Sequence, residues 1–344
     1  MPSWQLVSFV LSQASHEPET KNPFHPARCR HAFAHRAGLV VRPRARADPD
    51  RAVKIVVPFA PGAGTDAIAR LIAQKLGEVM NATFVVENRT GASGAIGTQF
   101  VAQAPADGYT LLLVASPFTT VDASLPNAGY DPLKNFAHVG MVATGPLVWA
   151  TNAQVPARDM KELVALAKAK PGALNYGSAG AGGVNHLVLE LLKSRTGTFI
   201  THIPYRGIAP ATMDMIGGQI QLVTGTIPAL LPFIKDGRVK ALAVTSAKRS
   251  SALPDVPSMA ESGLSGFDVV NYFAIAAPVG TPPSVVNALN AAINKAVQMP
   301  DVVARFKLDA VDAAAGSPAQ MTKFIEADYA AWRKVVSLQN LKVD

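Results

Sequence analysis

From residue 53 onward, apolar residues recur in two registers. Short runs rich in valine, leucine and alanine alternate with longer stretches in which apolar positions return every three or four residues. The runs predict strands at Val53–Val57, Thr83–Glu87, Thr110–Ala115, Val139–Ala143 and Leu147–Thr151. A second series is predicted at Leu174–Gly177, Phe199–Ile203, Gln221–Thr224, Lys240–Thr245 and Phe267–Phe273. Helices fall between them. Ile68, Leu71, Ile72 and Leu76 share one helical face, as do Leu187, Leu191 and Leu192. Asp159 is a good N-cap for a helix at residues 161–168, and Pro171-Gly172 ends it. The last stripe, Ile325, Tyr329, Trp332 and Val336, predicts a docked C-terminal helix with Trp332 in a core. Alternating strand and helix over this length predict two α/β domains with parallel sheets covered on both faces.

Two of the strand-to-helix connections are rich in glycine. The first is Pro58-Phe-Ala-Pro-Gly-Ala-Gly-Thr-Asp66 and the second is Gly177-Ser-Ala-Gly-Ala-Gly-Gly183. Glycines before a helix leave its first N–H groups uncovered. Those orphan donors and the positive end of the helix dipole favour a small anion. Two such loops predict two half-sites facing one cleft.

Composition narrows the class. Apolar residues make up 49% and charged residues 16%, which predicts a packed body. No apolar run reaches the roughly 20 residues that span a bilayer. The net charge of +8 divides into +3 over residues 1–50 and +5 over the rest, with no basic run in the latter. Nucleic-acid binding needs clustered positive charge and is therefore not expected. The only cysteine, Cys29, lies in the first fifty residues, so cysteine chemistry in the body is excluded.

Residues 1–50 are rich in proline, arginine and histidine without periodicity, and are expected to be a disordered or aberrant leader or extension. The apolar stretch Trp4–Leu11 is not preceded by a basic residue and contains Gln5 and Ser8, which makes a poor export signal. Ala45-Arg-Ala47 nevertheless has the small-x-small form of a cleavage site just before Asp48.

Three chemical readings compete with a plain anion pocket. Gly62-Ala-Gly-Thr-Asp-Ala67 fits G-x-G-x-x-A, and Glu87 stands where a ribose-binding acid would, so an NAD(P)-dependent oxidoreductase is the main alternative. Against it, Pro58–Pro61 interrupts a turn that must be tight, and the Asp66 carboxylate would repel a pyrophosphate. Asp66 reads equally well as a helix N-cap. Ser178 falls one residue short of a nucleophile elbow because position 176 is tyrosine. His138, His186 and His202, the histidines of the body, lack the spacing of a triad or a metal site, and His186 reads best as a packed or capping residue.

Taken together, the motifs resemble those of the substrate-binding receptors of tripartite tricarboxylate transporters, also called Bug-type receptors. The matching stretches include Val56–Asp66, Val85–Gly97, Ala106–Leu111, Asn175–Gly182, His202–Gly207, Leu242–Ser246, Leu253–Pro257 and Ala277–Pro282, in family order. The resemblance implies a two-lobed periplasmic-binding-protein-like α/β fold of type II, each lobe a mainly parallel sheet flanked by helices. Residues 51–152 with 273–344 would form lobe 1 and residues 153–272 lobe 2. It further implies a monomeric, non-catalytic periplasmic receptor, without cofactor or metal, that takes a small carboxylate or similar polar solute to membrane permease subunits. A sensory or interaction role on the same fold is a further alternative. By position, Phe59, Ala60, Gly62, Thr65 and Asp66 would meet one carboxylate. Ser116 and Thr120 would close a second side, Ser178 and Gly180 a third, with Tyr205 and Asp214 beside them. The chain departs from the family at Ala63, where glycine is usual, and at Tyr272 and Ala274, where tryptophan and glycine are common.

Overall fold

The valine- and leucine-rich runs form strands buried on both faces, and the periodic stretches form the helices that cover them. The computed structural model describes residues 51–62, 64–125 and 127–338; the leader, Cys29, Ala45–Ala47 and Ala63 lie outside the described residues. The first stretch runs β1 (Val53–Val57), α1 (Gly64–Met80), β2 (Phe84–Asn88), α2 (Ala95–Ala102), β3 (Thr110–Ala115), α3 (Pro117–Ser124) and β4 (Phe136–Asn152). Next come α4 (Met160–Ala169), β5 (Asn175–Ser178), α5 (Val184–Thr196), β6 (Thr201–Pro204), α6 (Ile208–Ile216), β7 (Leu222–Thr226), α7 (Ile227–Lys235) and β8 (Val239–Val244). The chain closes with β9 (Val270–Pro278), α8 (Pro283–Ala296), α9 (Pro300–Leu308), β10 (Asp312–Ala313) and α10 (Pro318–Leu338).

The strands lie in the order β2-β1-β3-β9-β4-β7-β5-β6, with β8 and β10 also paired to β4. Parallel pairing holds in the two wings, β2-β1-β3 and β7-β5-β6, whereas β4 and β9 run antiparallel to their neighbours. The two strands expected at residues 139–143 and 147–151 are one strand. Residues Phe136–Pro146 of β4 pair with β9, and Leu147–Asn152 pair with β7 and β8. Gly145-Pro146 reads as a break but marks the change of partner. Pro146 stands opposite Val270, the first residue of β9, where a missing N–H costs little. A Cβ at position 145 would lie 2.7 Å from the Ala310 carbonyl oxygen, so only glycine lets the two backbones approach. The strand expected at 267–273 begins later, at Val270, and Phe267 is a fully buried residue of the preceding turn.

Four buried clusters line the two faces of this sheet. On the first half, Ile55, Ile72, Leu113 and Ile293 pack under α1, α8 and α9, and Val114, Phe118, Tyr272 and Ile325 pack on the opposite face. On the second half, Trp149, Tyr176, Leu189 and Phe267 pack under α4 and α5, opposite Val148, Met215, Val223 and Leu230. The Asp159 carboxylate accepts the Glu162 N–H at 2.8 Å and caps α4 as expected. Helix α10 enters two clusters: Met321 and Ile325 join the first half, and Trp332 and Val335 join Trp149. Its stripe is turned slightly from the expected one, since Val335 is buried and Val336 and Tyr329 only half-buried.

Trp332→Ala should therefore destabilise the chain by about 3–5 kcal/mol in urea denaturation. Leu338→Ala, at the exposed end of the same helix, should stay within about 0.5 kcal/mol of the parent.

Candidate functional site

Beyond Val57 the first loop leaves the sheet through Pro58–Pro61 before α1 starts at Gly64. Asp66 lies inside the first turn, 3% exposed, so it is not an N-cap preceding the helix. Its Oδ2 accepts the Gly62 N–H and the Arg70 Nε–H, each at 2.9 Å, and its Oδ1 accepts from Asn88 Nδ2 at 2.8 Å. The Asn88 amide also donates to the Phe59 carbonyl at 3.0 Å. One carboxylate and one amide thus fix the loop that carries Phe59, Ala60, Gly62 and Thr65. Burial raises the Asp66 pKa, but the hydrogen bonds from Arg70, Gly62 and Asn88 outweigh it and hold the carboxyl below its usual value. The charge that would repel an anion is already matched. Asn88 escaped the sequence reading, although it lies in the Glu87-Asn-Arg89 motif.

Beneath the second loop lies a buried polar stack. Ser178 Oγ is 2.6 Å from His202 Nε2, and the His202 ring stacks on His186 at 3.9 Å between centroids and 15° between planes. His186 Nδ1 accepts the Gly182 N–H at 3.1 Å, so its neutral proton is on Nε2. Ser178 Oγ accepts the Gly180 N–H at 3.1 Å and lies 3.0 Å from the Gly180 carbonyl. A proton on His202 Nε2 satisfies all of these groups: it donates to Ser178, whose own hydrogen goes to Gly180. Ser178 is completely buried, and no acid hydrogen-bonds His202 among the described residues. The pair braces the loop instead of presenting a nucleophile. Burial and then Lys193 lower the His186 pKa to about 4; burial, then His186 and Lys193, lower that of His202 to about 3. Glu190 Oε1 lies 3.8 Å from His186 Nε2 and is bound by Lys193 at 2.8 Å.

The remaining expected residues divide in the same way. Ser116 is buried, and its hydroxyl accepts the Tyr272 N–H at 3.2 Å and donates to Asn271 Oδ1 at 2.8 Å. Tyr205 and Asp214 meet each other at 2.8 Å, and burial followed by this bond raises the Tyr205 pKa to about 12. Thr120 Oγ1 is buried with no partner among the described residues. Gly180 has φ +135°, and a Cβ there would lie 3.6 Å from Ser93 Oγ, so the loop Ala92–Gly94 adjoins the second Gly-rich loop. Ser93 itself holds the left-handed conformation, φ 53° and ψ 28°, which for a serine is strained. Ser124 Oγ lies 3.5 Å from the Gly182 carbonyl on the same side. Phe59 and Ser93 line one small recess. Glu87, the acid of the dinucleotide reading, is bound by Lys54 at 2.6 Å and Arg89 at 2.5 Å and is not free for a ribose. Among the described residues no cluster of His, Cys, Asp and Glu could hold a metal, and no helix is long and apolar enough to cross a membrane.

A sheet of two wings joined by crossing strands, with Gly-rich loops at the strand ends, defines a two-lobed solute-binding protein of type II. The chain belongs to the tripartite tricarboxylate transporter family of receptors, whose family model matches residues 68–341. It is 38% identical to Protein BugT of Bordetella pertussis over 88% of this chain and 94% of that protein. Among solved structures it is similar to R. palustris Rpa4515 with adipate, with a TM-score of 0.78 and 34% identity over 86% of this chain and 99% of that one. MatC from Rhodopseudomonas palustris with bound malate gives 0.76 and 30%, covering 84% and 99%. The family and the fold make the chain a solute receptor.

Stability should fall as pH drops through the histidine window. Both histidines have folded pKa values below the ordinary 6.5, so the unfolded chain binds more protons between about 6.5 and 4. Each contributes a slope of up to about 1.4 kcal/mol per pH unit there; its stabilisation is full above the unfolded pKa and is lost progressively as pH falls below it. Asp328, raised to about 6 by burial, opposes this slope from about pH 6 downward, over most of the window. Thermal unfolding from pH 7 to 4 should show a falling Tm, and His202→Asn, which keeps a donor for Ser178, should flatten the curve.

Proposed function

We propose that this receptor works outside the cytoplasm, captures a small carboxylate between its lobes and delivers it to the permease subunits of a tripartite transporter. The observation that carries this reading is the division between committed and uncommitted donors. The acids and hydroxyls around the cleft are spent on the protein itself: Asp66 on Gly62, Arg70 and Asn88, Ser178 on His202 and Gly180, and Ser116 on β9. The Ala181 N–H and the leading N–H groups of α1 have no such partner among the described residues. Backbone donors at helix starts suit carboxylate oxygens, and a buried carboxylate must find such partners when it loses its water. The bound adipate and malate of Rpa4515 and MatC support a carboxylate as the solute.

In this reading the lobes are residues 51–152 with 273–344 and residues 153–272, with β4 and β9 crossing between them. Helix α10 straps the first lobe to the second through Trp332. Thr65, half-buried with no side-chain partner among the described residues, and Thr120 Oγ1 are side-chain donors left for the ligand in this reading.

A thermal-shift screen of the full chain against carboxylates, amino acids and nicotinamide dinucleotides tests the proposal. A carboxylate should raise Tm, by an amount equivalent to about 2.7 kcal/mol at a hundred times its Kd. Thr120→Val should weaken that ligand roughly threefold to tenfold without lowering the Tm of the free protein, since the hydroxyl it removes has no partner. A shift with dinucleotides alone would overturn the reading.

A further inference from the structure

Between its two packed ends, α10 carries an acid that no ion pair explains. Met321 and Ile325 join the cluster that contains Tyr272, Trp332 and Val335 join that of Trp149, and Asp328 lies between the two pairs. Its Oδ1 accepts the Trp332 Nε1–H at 3.0 Å, and its Oδ2 lies 2.6 Å from Thr119 Oγ1 in the first turn of α3. The Thr119 hydroxyl has one hydrogen and three groups within its reach: Asp328 Oδ2, the Tyr272 hydroxyl of β9 at 3.0 Å and the Ser116 carbonyl at 3.1 Å. The same carbonyl accepts the Thr119 and Thr120 N–H groups, at 3.3 and 3.4 Å. Tyr272 is completely buried, and burial holds its pKa well above the ordinary 10.0, so it keeps its proton. While Asp328 is ionised, Tyr272 donates to Thr119 Oγ1 and Thr119 donates to the carboxylate, which makes the last link short and charge-assisted. A proton from solvent on Oδ2 reverses that link. The carboxyl then donates to Thr119, and the Thr119 hydrogen turns to the Ser116 carbonyl. Every group has a partner in both states, so the folded chain can hold either. Burial raises the Asp328 pKa to about 6, against the hydrogen bonds of Thr119, Trp332 and Tyr272.

The other charged groups around Asp328 are turned to partners of their own. On α3, Asp122 accepts from the Tyr329 hydroxyl, which in turn accepts from Arg333 at 3.2 Å. On the opposite side, Asp328 borders a recess of about 360 Å³ with Lys334 of α10, Arg195 of α5 and Asp268 ahead of β9. Arg195 donates to the Ser265 carbonyl at 3.0 Å, and Asp268 accepts the Ala247 N–H at 2.9 Å. The recess gives protons a path to the carboxyl. We infer that Asp328 is a positioning residue for the turn of residues 116–120, and that its protonation, relayed by the Thr119 hydroxyl, weakens the hold of the cleft on its carboxylate. This rests on the carboxylate-receptor reading, in which Thr120 Oγ1 is a donor to the ligand. Ionised Asp328 ties α3 to α10 and fixes the residue next to Thr120, and a donor already in place costs less to order on binding. The neutral carboxyl makes a weaker tie. The Thr119 hydrogen then competes with the N–H groups of Thr119 and Thr120 for one carbonyl, which loosens the first turn of α3. Because Trp332 also bonds to Asp328, the same acid joins this turn to the end of α10 that packs on Trp149.

The test is isothermal titration of the full chain with acetate, lactate, malate and adipate at about pH 7.5 and about pH 5.5, on either side of the Asp328 pKa. Asp328→Asn donates to Thr119 and accepts from Trp332 as the neutral acid does, so at the higher pH it should bind the tightest acid about threefold to tenfold more weakly than the parent. At the lower pH the two should converge. Titration of the ligand itself is common to both proteins and cancels in the comparison. Thr119→Ser keeps the relay and should keep the parent's pH profile, whereas Thr119→Val should lose it; this pair decides the matter if Asp328→Asn does not fold. The same affinities and pH profile in the parent and in the folded Asp328→Asn, or in Thr119→Ser and Thr119→Val, overturn the inference and leave the receptor standing. Failure of every acid to bind at either pH removes the receptor reading and this inference together.

Discussion

The structure depends on one strand being shared. β4 serves two sets of neighbours, β9 on its first part and β7 and β8 on its second, and the four apolar clusters are arranged around it. A strand can change partners only where its backbone can approach another segment closely and where a missing N–H does not leave a ladder bond unmade. Gly145 meets the first condition against Ala310 and Pro146 the second at the end of β9. Register shifts between His138 and Gly140, between Met141 and Ala143, and between Trp149 and Ala150 let the strand twist differently on either side.

The site follows from what that arrangement leaves over. Each loop at a strand end is braced by side-chain hydrogen bonds: Asp66 and Asn88 under the first, Ser178 with the two histidines under the second, Ser116 against β9. Bracing uses the side-chain groups that a sequence reader would assign to a ligand. Rigid loops with backbone donors then lose little further conformational freedom on binding, which is the benefit of preorganisation.

Much of the fold was legible because the strands are short, apolar and separated by helices of regular period. β1 and β3 were read to the residue, and Asp159 caps α4 as its type predicts. The joined β4 was not legible, because Gly-Pro ordinarily stops a strand and nothing local says that a second partner waits beyond it. The Gly-rich loops were visible for the same local reason as the helices. The roles of their side chains were not, since the partners lie far along the chain: Ser116 meets Asn271, and Ser178 meets His202. Asn271 and Asn88 carried no periodic or motif signal strong enough to be singled out alone.

The placement of tryptophan has a consequence for how unfolding is observed. Besides Trp4, outside the described residues, the chain has Trp149 and Trp332, and both lie in the cluster under α4 and α5. Fluorescence from Trp149 and Trp332 therefore reports on one of the four buried clusters and is silent about the cluster under α1, α8 and α9. A loosening confined to that side would register in circular dichroism and leave the emission spectrum unchanged, so coincidence of the two signals is a direct measure of whether the shared strand makes the molecule melt as one.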